Sequence, residues 1–129
     1  MLICSYEYAI IRVMPRVERQ EFINVGIVLA CQAKRHLQAR IELDKPRIKA
    51  FAPQLDLQML EDYLNTLPQI CQGQGPLGPV SQRERFHWLV APRSTIIQLS
   101  PIHSGLCENL DAAMEDLLNK LVRLDYVSS

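Results

Sequence analysis

Cys4–Met14, CSYEYAIIRVM, is the stretch on which the fold turns. Tyr6, Tyr8, Ile10 and Arg12 alternate with Glu7, Ala9, Ile11 and Val13, the two-residue period of a β-strand. Both sets are largely apolar, which predicts a central strand buried on both faces and ended by Pro15. A charged connector with Arg16, Glu18, Arg19 and Glu21 leads into a second β-rich run, Phe22–Cys31. Gly26 inside that run predicts a bulge or a close backbone approach. Leu37, Ala39, Ile41 and Leu43 then alternate, apolar in, with polar Gln38, Arg40 and Glu42. Connections this short predict antiparallel pairing, because parallel strands need a crossover of about a dozen residues or more.

The period then changes. Leu57, Leu60, Leu64 and Leu67 recur at helical spacing behind Asp56 as N-cap, and Pro68 is expected to end or kink that helix. The loop QGQGPLGP follows. It lacks the GK[ST] of a P-loop and the GxGxxG of a dinucleotide fold, so it reads as a surface linker. Near the end, Leu110, Ala113, Met114, Leu117, Leu121 and Leu124 form one helical face behind Asn109 as N-cap. The expected architecture is α+β: an antiparallel sheet of about five strands with two main helices packed on one face.

A chain of 129 residues fits a single domain, 1–129, with its own core. Fourteen basic residues balance fourteen acidic ones, and that zero net charge argues against a protein that coats nucleic acid or an anionic membrane. The N-terminal apolar stretch is interrupted by Glu7 and Arg12 and has no cationic leader, so neither a signal peptide nor a membrane span is expected. Cys4, Cys31, Cys71 and Cys107 form no CxxC pair. Together these features predict a cytoplasmic protein with reduced thiols. His103 and Cys107 lack a second ligand pair, so no metal is expected, and no motif calls for a cofactor.

The segment RERFHWLVAPRSTIIQLSPIHSG, residues 83–105, carries most of the candidate chemistry. Read as a strand, it puts Arg83, Arg85 and His87 on one face. Two guanidinium forks on one side grip a carboxylate or phosphate, and His87 adds a titratable group. Arg93, Ser94 and Thr95 add donors in a turn, and Ser100, His103 and Ser104 do so in a second loop. The plainer reading is a solvated strand face whose arginines pair with Glu84, Glu18 or Glu21. Arg12 and Asn24 form a related case, because an arginine on a buried strand must be paired. Glu21, another carboxylate or a pocket would serve Arg12. The candidate binding residues are therefore Arg12, Asn24, Arg83, Arg85, His87, Arg93, Ser94, Thr95 and His103.

YEYAIIRVMPRVERQEFINVGIVL, RIELD and RERFHWLVAPRSTIIQLSPIHSGLC together resemble a bacterial family catalogued as domain of unknown function 3037. The resemblance runs in order from about Tyr6 to the last helix. It implies no established activity or cofactor, but family members are associated with HipA-like kinase proteins encoded nearby. Two functions follow. One is an accessory or interaction protein that binds an acidic or phosphorylated partner, a HipA-like kinase among the choices, through the Arg/His-rich strand and loop. The other is a metal-independent enzyme or sensor for a phosphate-bearing small molecule or RNA, with His87 or His103 as general acid or base.

Overall fold

A computed structural model describes residues 3–92 and 95–124. Strand β1, Cys4–Val13, runs through the middle of an antiparallel five-stranded sheet. On one side it pairs with β2, Ile23–Cys31, which pairs in turn with β3, His36–Ile41. On the other side two short strands share its edge. β4, Ile97–Leu99, takes the Ile11–Val13 end, and β5, His103–Cys107, takes Cys4–Tyr8. Ser100 bridges the gap between them. Its N–H donates to the Ile10 carbonyl at 2.9 Å, and its hydroxyl accepts the Ile10 N–H at 2.8 Å. This serine, a candidate donor in a loop by sequence, is thus buried ladder.

Gly26 meets both expectations placed on it. Ile11 faces Gly26 while Arg12 faces Asn24, so Val25 is an extra, bulged residue. A Cβ on Gly26 would overlap the Arg40 carbonyl oxygen of the neighbouring strand. The bulge also switches the faces of β2. Ile23, Val25 and Val28 share one core, whereas Ile27 and Leu29 belong to the other.

Four helices cover the sheet. Asp44 caps α1, Lys45–Phe51, by accepting the Arg47 N–H at 3.1 Å, with Pro46 in the first turn. Asp56 caps α2, Leu57–Cys71, in the same way from Met59 at 3.1 Å. Pro68 was expected to end or kink this helix; it does not end it, and α2 continues to Cys71. Proline's fixed φ suits a helix, and only the rung to the carbonyl four residues back is lost. The N–H of Gln72 then closes on the carbonyl of Pro68 itself at 3.1 Å.

The stretch expected as a strand at RERFHWLV is helix α3, Gln82–Val90. Ser81 accepts the Glu84 N–H at 3.2 Å, and the S-x-x-E spacing is a helix-start signature. Phe86 and Leu89, three apart, both face the core, as a helix allows. Burial of Phe86 alone is worth about 1.5–3 kcal/mol. Helix α4, Leu110–Leu121, begins at Asn109, whose side chain accepts the Ala112 N–H at 2.9 Å.

The helices lie on both faces of the sheet, not on one. Ile48 of α1, Leu60, Leu64 and Leu67 of α2, and Phe86 and Leu89 of α3 pack with Ile11, Val13 and Val28. Met114, Leu117 and Leu118 of α4 pack with Ile10, Ile27 and Leu29 on the opposite side. A single helical layer would have left one of these apolar rows in water. No helix among the described residues is long and apolar enough to cross a membrane.

If residues 82–90 are a capped helix, Ser81→Ala costs about 1 kcal/mol of stability. Urea unfolding of the two proteins checks this, and an unchanged midpoint would contradict the cap.

Candidate functional site

The helical form of residues 82–90 redistributes the predicted binding residues. Positions two apart on a helix stand about 200° apart, so Arg83 and Arg85 point in opposite directions. Arg85 is only 8% exposed. Its guanidinium donates to the Val80 carbonyl at 2.6 Å and the Cys71 carbonyl at 3.4 Å, tying the end of α2 to the loop before α3. Gly73, with φ of 81°, lets that loop close against the guanidinium. Arg85 is thereby committed to the fold. Arg83 is exposed and reaches across to Glu7 of β1. His87, one turn further along, is also exposed, and its ring lies 6.2 Å from that of Phe86. Thr95 donates its hydroxyl to the Ile97 carbonyl in a local turn. Arg93 and Ser94 lie outside the described residues.

Arg12, Asn24 and His103 sit on the other side of the sheet, the side on which α4 packs, with His103 exposed. Arg12 and Asn24 are register partners at the bulge. Among the described residues no carboxylate bonds Arg12, for which Glu21, another carboxylate or a pocket was expected: Glu21 bonds Arg19 at 2.6 Å, and Arg12 lies 4.1 Å over the ring of Phe22. Burial lowers the Arg12 pKa from its ordinary value. The Asn24 amide donates to the Leu121 carbonyl at 2.9 Å, satisfying one of the open carbonyls at the end of α4. His103 stacks on Tyr8, its register partner, at 5.3 Å. The sheet therefore stands between these three residues and Arg83 and His87.

A cleft forms where the β2–β3 turn meets the start of α3. It consists of two depressions of about 470 and 600 Å³ that share Ala30, Gln32 and Arg83. The first is lined further by Arg35, His36, Leu37, Ser81, Gln82 and Phe86. The second adds Ser5, Glu7, Ala33 and Ser104. Arg35 adopts a left-handed backbone, φ 50°, that turns the hairpin. Its side chain is exposed, and no carboxylate among the described residues bonds it. His36 keeps its Nε2 buried without a partner. The lining thus combines apolar Ala30, Leu37 and Phe86 with a rim of hydrogen-bond donors around the Arg83–Glu7 pair. Of the nine candidate binding residues, Arg83 alone among the described ones lines it, joined by Ser104, the donor read in the second loop. The signal for the others was QAKRH, residues 32–36, a basic run at the tip of a strand-turn-strand unit.

Residues 8–122 match the family described as Protein of unknown function (DUF3037). The chain belongs to that family. The match begins within β1 and ends just past α4, so it takes in all five strands and all four helices. No curated protein and no solved structure matches this DUF3037 chain.

Elsewhere several charges of this DUF3037 protein are paired with one another. Arg123, just beyond α4, bonds Glu42 through two nitrogens at 2.6 Å each, and Glu115 at 2.9 Å. Arg40 bonds the same two carboxylates at 3.2 and 2.9 Å. The hydrogen bonds from Arg123 hold the Glu42 carboxyl below its ordinary 4.5. Unfolding releases that pair, so its stabilisation is complete above about pH 4.5 and is lost as the pH falls through the lower folded value. The melting-temperature gap between wild type and Arg123→Met is therefore expected to be wide near neutrality and to narrow below about pH 4.5. A gap independent of pH would contradict the pairing.

Arg85→Ala leaves the Val80 and Cys71 carbonyls without their donor and is expected to cost about 2–3 kcal/mol in urea unfolding. Wild-type stability in this variant would mean that Arg85 is free for a ligand.

Proposed function

We propose that this DUF3037 protein is a cytosolic binding module that docks an acidic or phosphorylated segment of a partner protein in the cleft between the β2–β3 turn and α3. Arg35 is the observation that carries the reading: an exposed guanidinium without a carboxylate partner among the described residues, on the rim of the same depression as Arg83. Guanidinium is always charged, and its planar fork matches a carboxylate or phosphate. Glu7 holds Arg83 in place on the free protein, and an anionic side chain of the partner would take over that contact. Leu37 and Phe86 offer apolar contact below, while the Gln32, Ser81 and Gln82 side chains supply neutral hydrogen bonds. A HipA-like kinase is the partner to try first, on the strength of the family resemblance.

The competing reading, a metal-independent enzyme or a sensor of a phosphate-bearing small molecule or RNA, draws less support. It needs a histidine placed as general acid or base beside the arginines. His103 is stacked on Tyr8 across the sheet, and Arg85 is bonded to carbonyls. His36 lines the cleft and His87 stands exposed one turn along α3 from Arg83, so such a role would fall to one of these two.

Binding of fluorescently labelled phosphoserine-containing and Glu-rich peptides, read by anisotropy, tests the docking reading. Arg35→Ala and Arg83→Ala are each expected to weaken binding about tenfold while leaving the melting temperature nearly unchanged. Equal binding by wild type and the double variant, or binding of neutral peptides just as tight, would overturn it.

A further inference from the structure

The end of β1 remote from the bulge holds two thiols face to face. Cys4 and Cys107 are register partners on β1 and β5, and their sulfurs lie 3.4 Å apart. The Cys4 thiol also reaches the Cys107 carbonyl at 3.3 Å. Directly opposed residues on antiparallel strands hold their Cα atoms about 4.5–5.5 Å apart. That lies inside the span of about 4.4–6.8 Å that a disulfide needs. Closing the sulfurs to a bond of about 2.05 Å therefore requires side-chain rotation and no new strand pairing. The two thiols are not equally accessible. Cys4 is 6% exposed, whereas Cys107 is only partly buried.

We propose that Cys4 and Cys107 form a reversible disulfide by exchange with a low-molecular-weight disulfide of the glutathione type. The Cys107 thiolate attacks one sulfur of the reagent, giving a mixed disulfide and one released thiol. The Cys4 thiolate then attacks the Cys107 sulfur and expels the second thiol. The protein gives up two electrons and two protons, and the reagent takes them up as two free thiols. The new bond staples the edge strand β5 to the central strand and closes the chain from residue 4 to residue 107.

Burial and the hydrogen bond to Cys4 push the Cys107 thiol up to about 11, with Cys31 acting in the same direction and Lys34 against it. Cys71 lies on the far side of the sheet among the residues of α2 and α3, and Cys31 is register partner of His36 on β3, not of Cys107.

Equilibration of the full-length protein in graded ratios of reduced to oxidised glutathione tests this, with acid quench, alkylation in denaturant and mass analysis before and after digestion. Four alkylatable thiols are expected at the reducing end. At the oxidising end two remain, the Cys4 and Cys107 peptides are linked, and the melting temperature is raised by several degrees. Cys4→Ser and Cys107→Ser abolish both the internal bond and the rise, whereas Cys31→Ser retains them. Four free thiols at the most oxidising ratio, a lasting glutathione adduct on Cys107, or a link made through Cys31 would each overturn the proposal.

Discussion

Ile10 and Ile11 are neighbours on β1, point to opposite faces of the sheet, and are both less than a tenth exposed. No arrangement with helices on one side could bury both. The chain meets that constraint by sending α1, α2 and α3 over one face on the way from β3 to β4. It then returns over the other face with α4. The bulge at Val25 belongs to the same solution, because it lets β2 keep apolar side chains on both faces while its pairing with β1 continues.

The two-layer cover decides which polar groups can meet. Residues on successive positions of a strand are separated by the thickness of the sheet, so Arg12 and His103 share one side while Glu7 and Arg83 share the other. Each side then resolves its charges differently. On the α4 side, Arg40 and Arg123 are paired with the Glu42 and Glu115 carboxylates, while Arg12 lies over the Phe22 ring with its Nε buried and unbonded. Beside α3, Arg35 has no carboxylate partner among the described residues and the His36 Nε2 stays unbonded, both on the lining of a cleft.

Much of this was legible in the sequence where one physical signal dominated. The two-sided apolar pattern of β1, the glycine of β2 and the caps Asp56 and Asn109 all specify their surroundings locally, and each is found in its expected place. The expectation of helices on one face conflicted with that same β1 pattern, which already demanded cover on both. Residues 83–90 misled for a different reason. Their alternating charges imitate a strand, while the deciding features, Ser81 with Glu84 and the Phe86–Leu89 spacing, lie partly outside the stretch. α1 went unseen because Asp44 and Pro46 open a helix of only seven residues, too short to show a period. The cleft was the least legible part. It is made by bringing residues 30–37 and 81–86 together through tertiary packing, and spacing along the chain carries no trace of that.

Backbone amide shifts in a heteronuclear NMR titration with a phosphorylated, Glu-rich peptide would test most directly whether the sheet divides a structural side from a binding side. The account predicts shifts confined to residues 30–37, the first turn of α3 and Glu7, with Asn24, His103 and the amides of α4 unmoved. Shifts centred on Arg12, Asn24 and His103, with the β2–β3 turn silent, would contradict it.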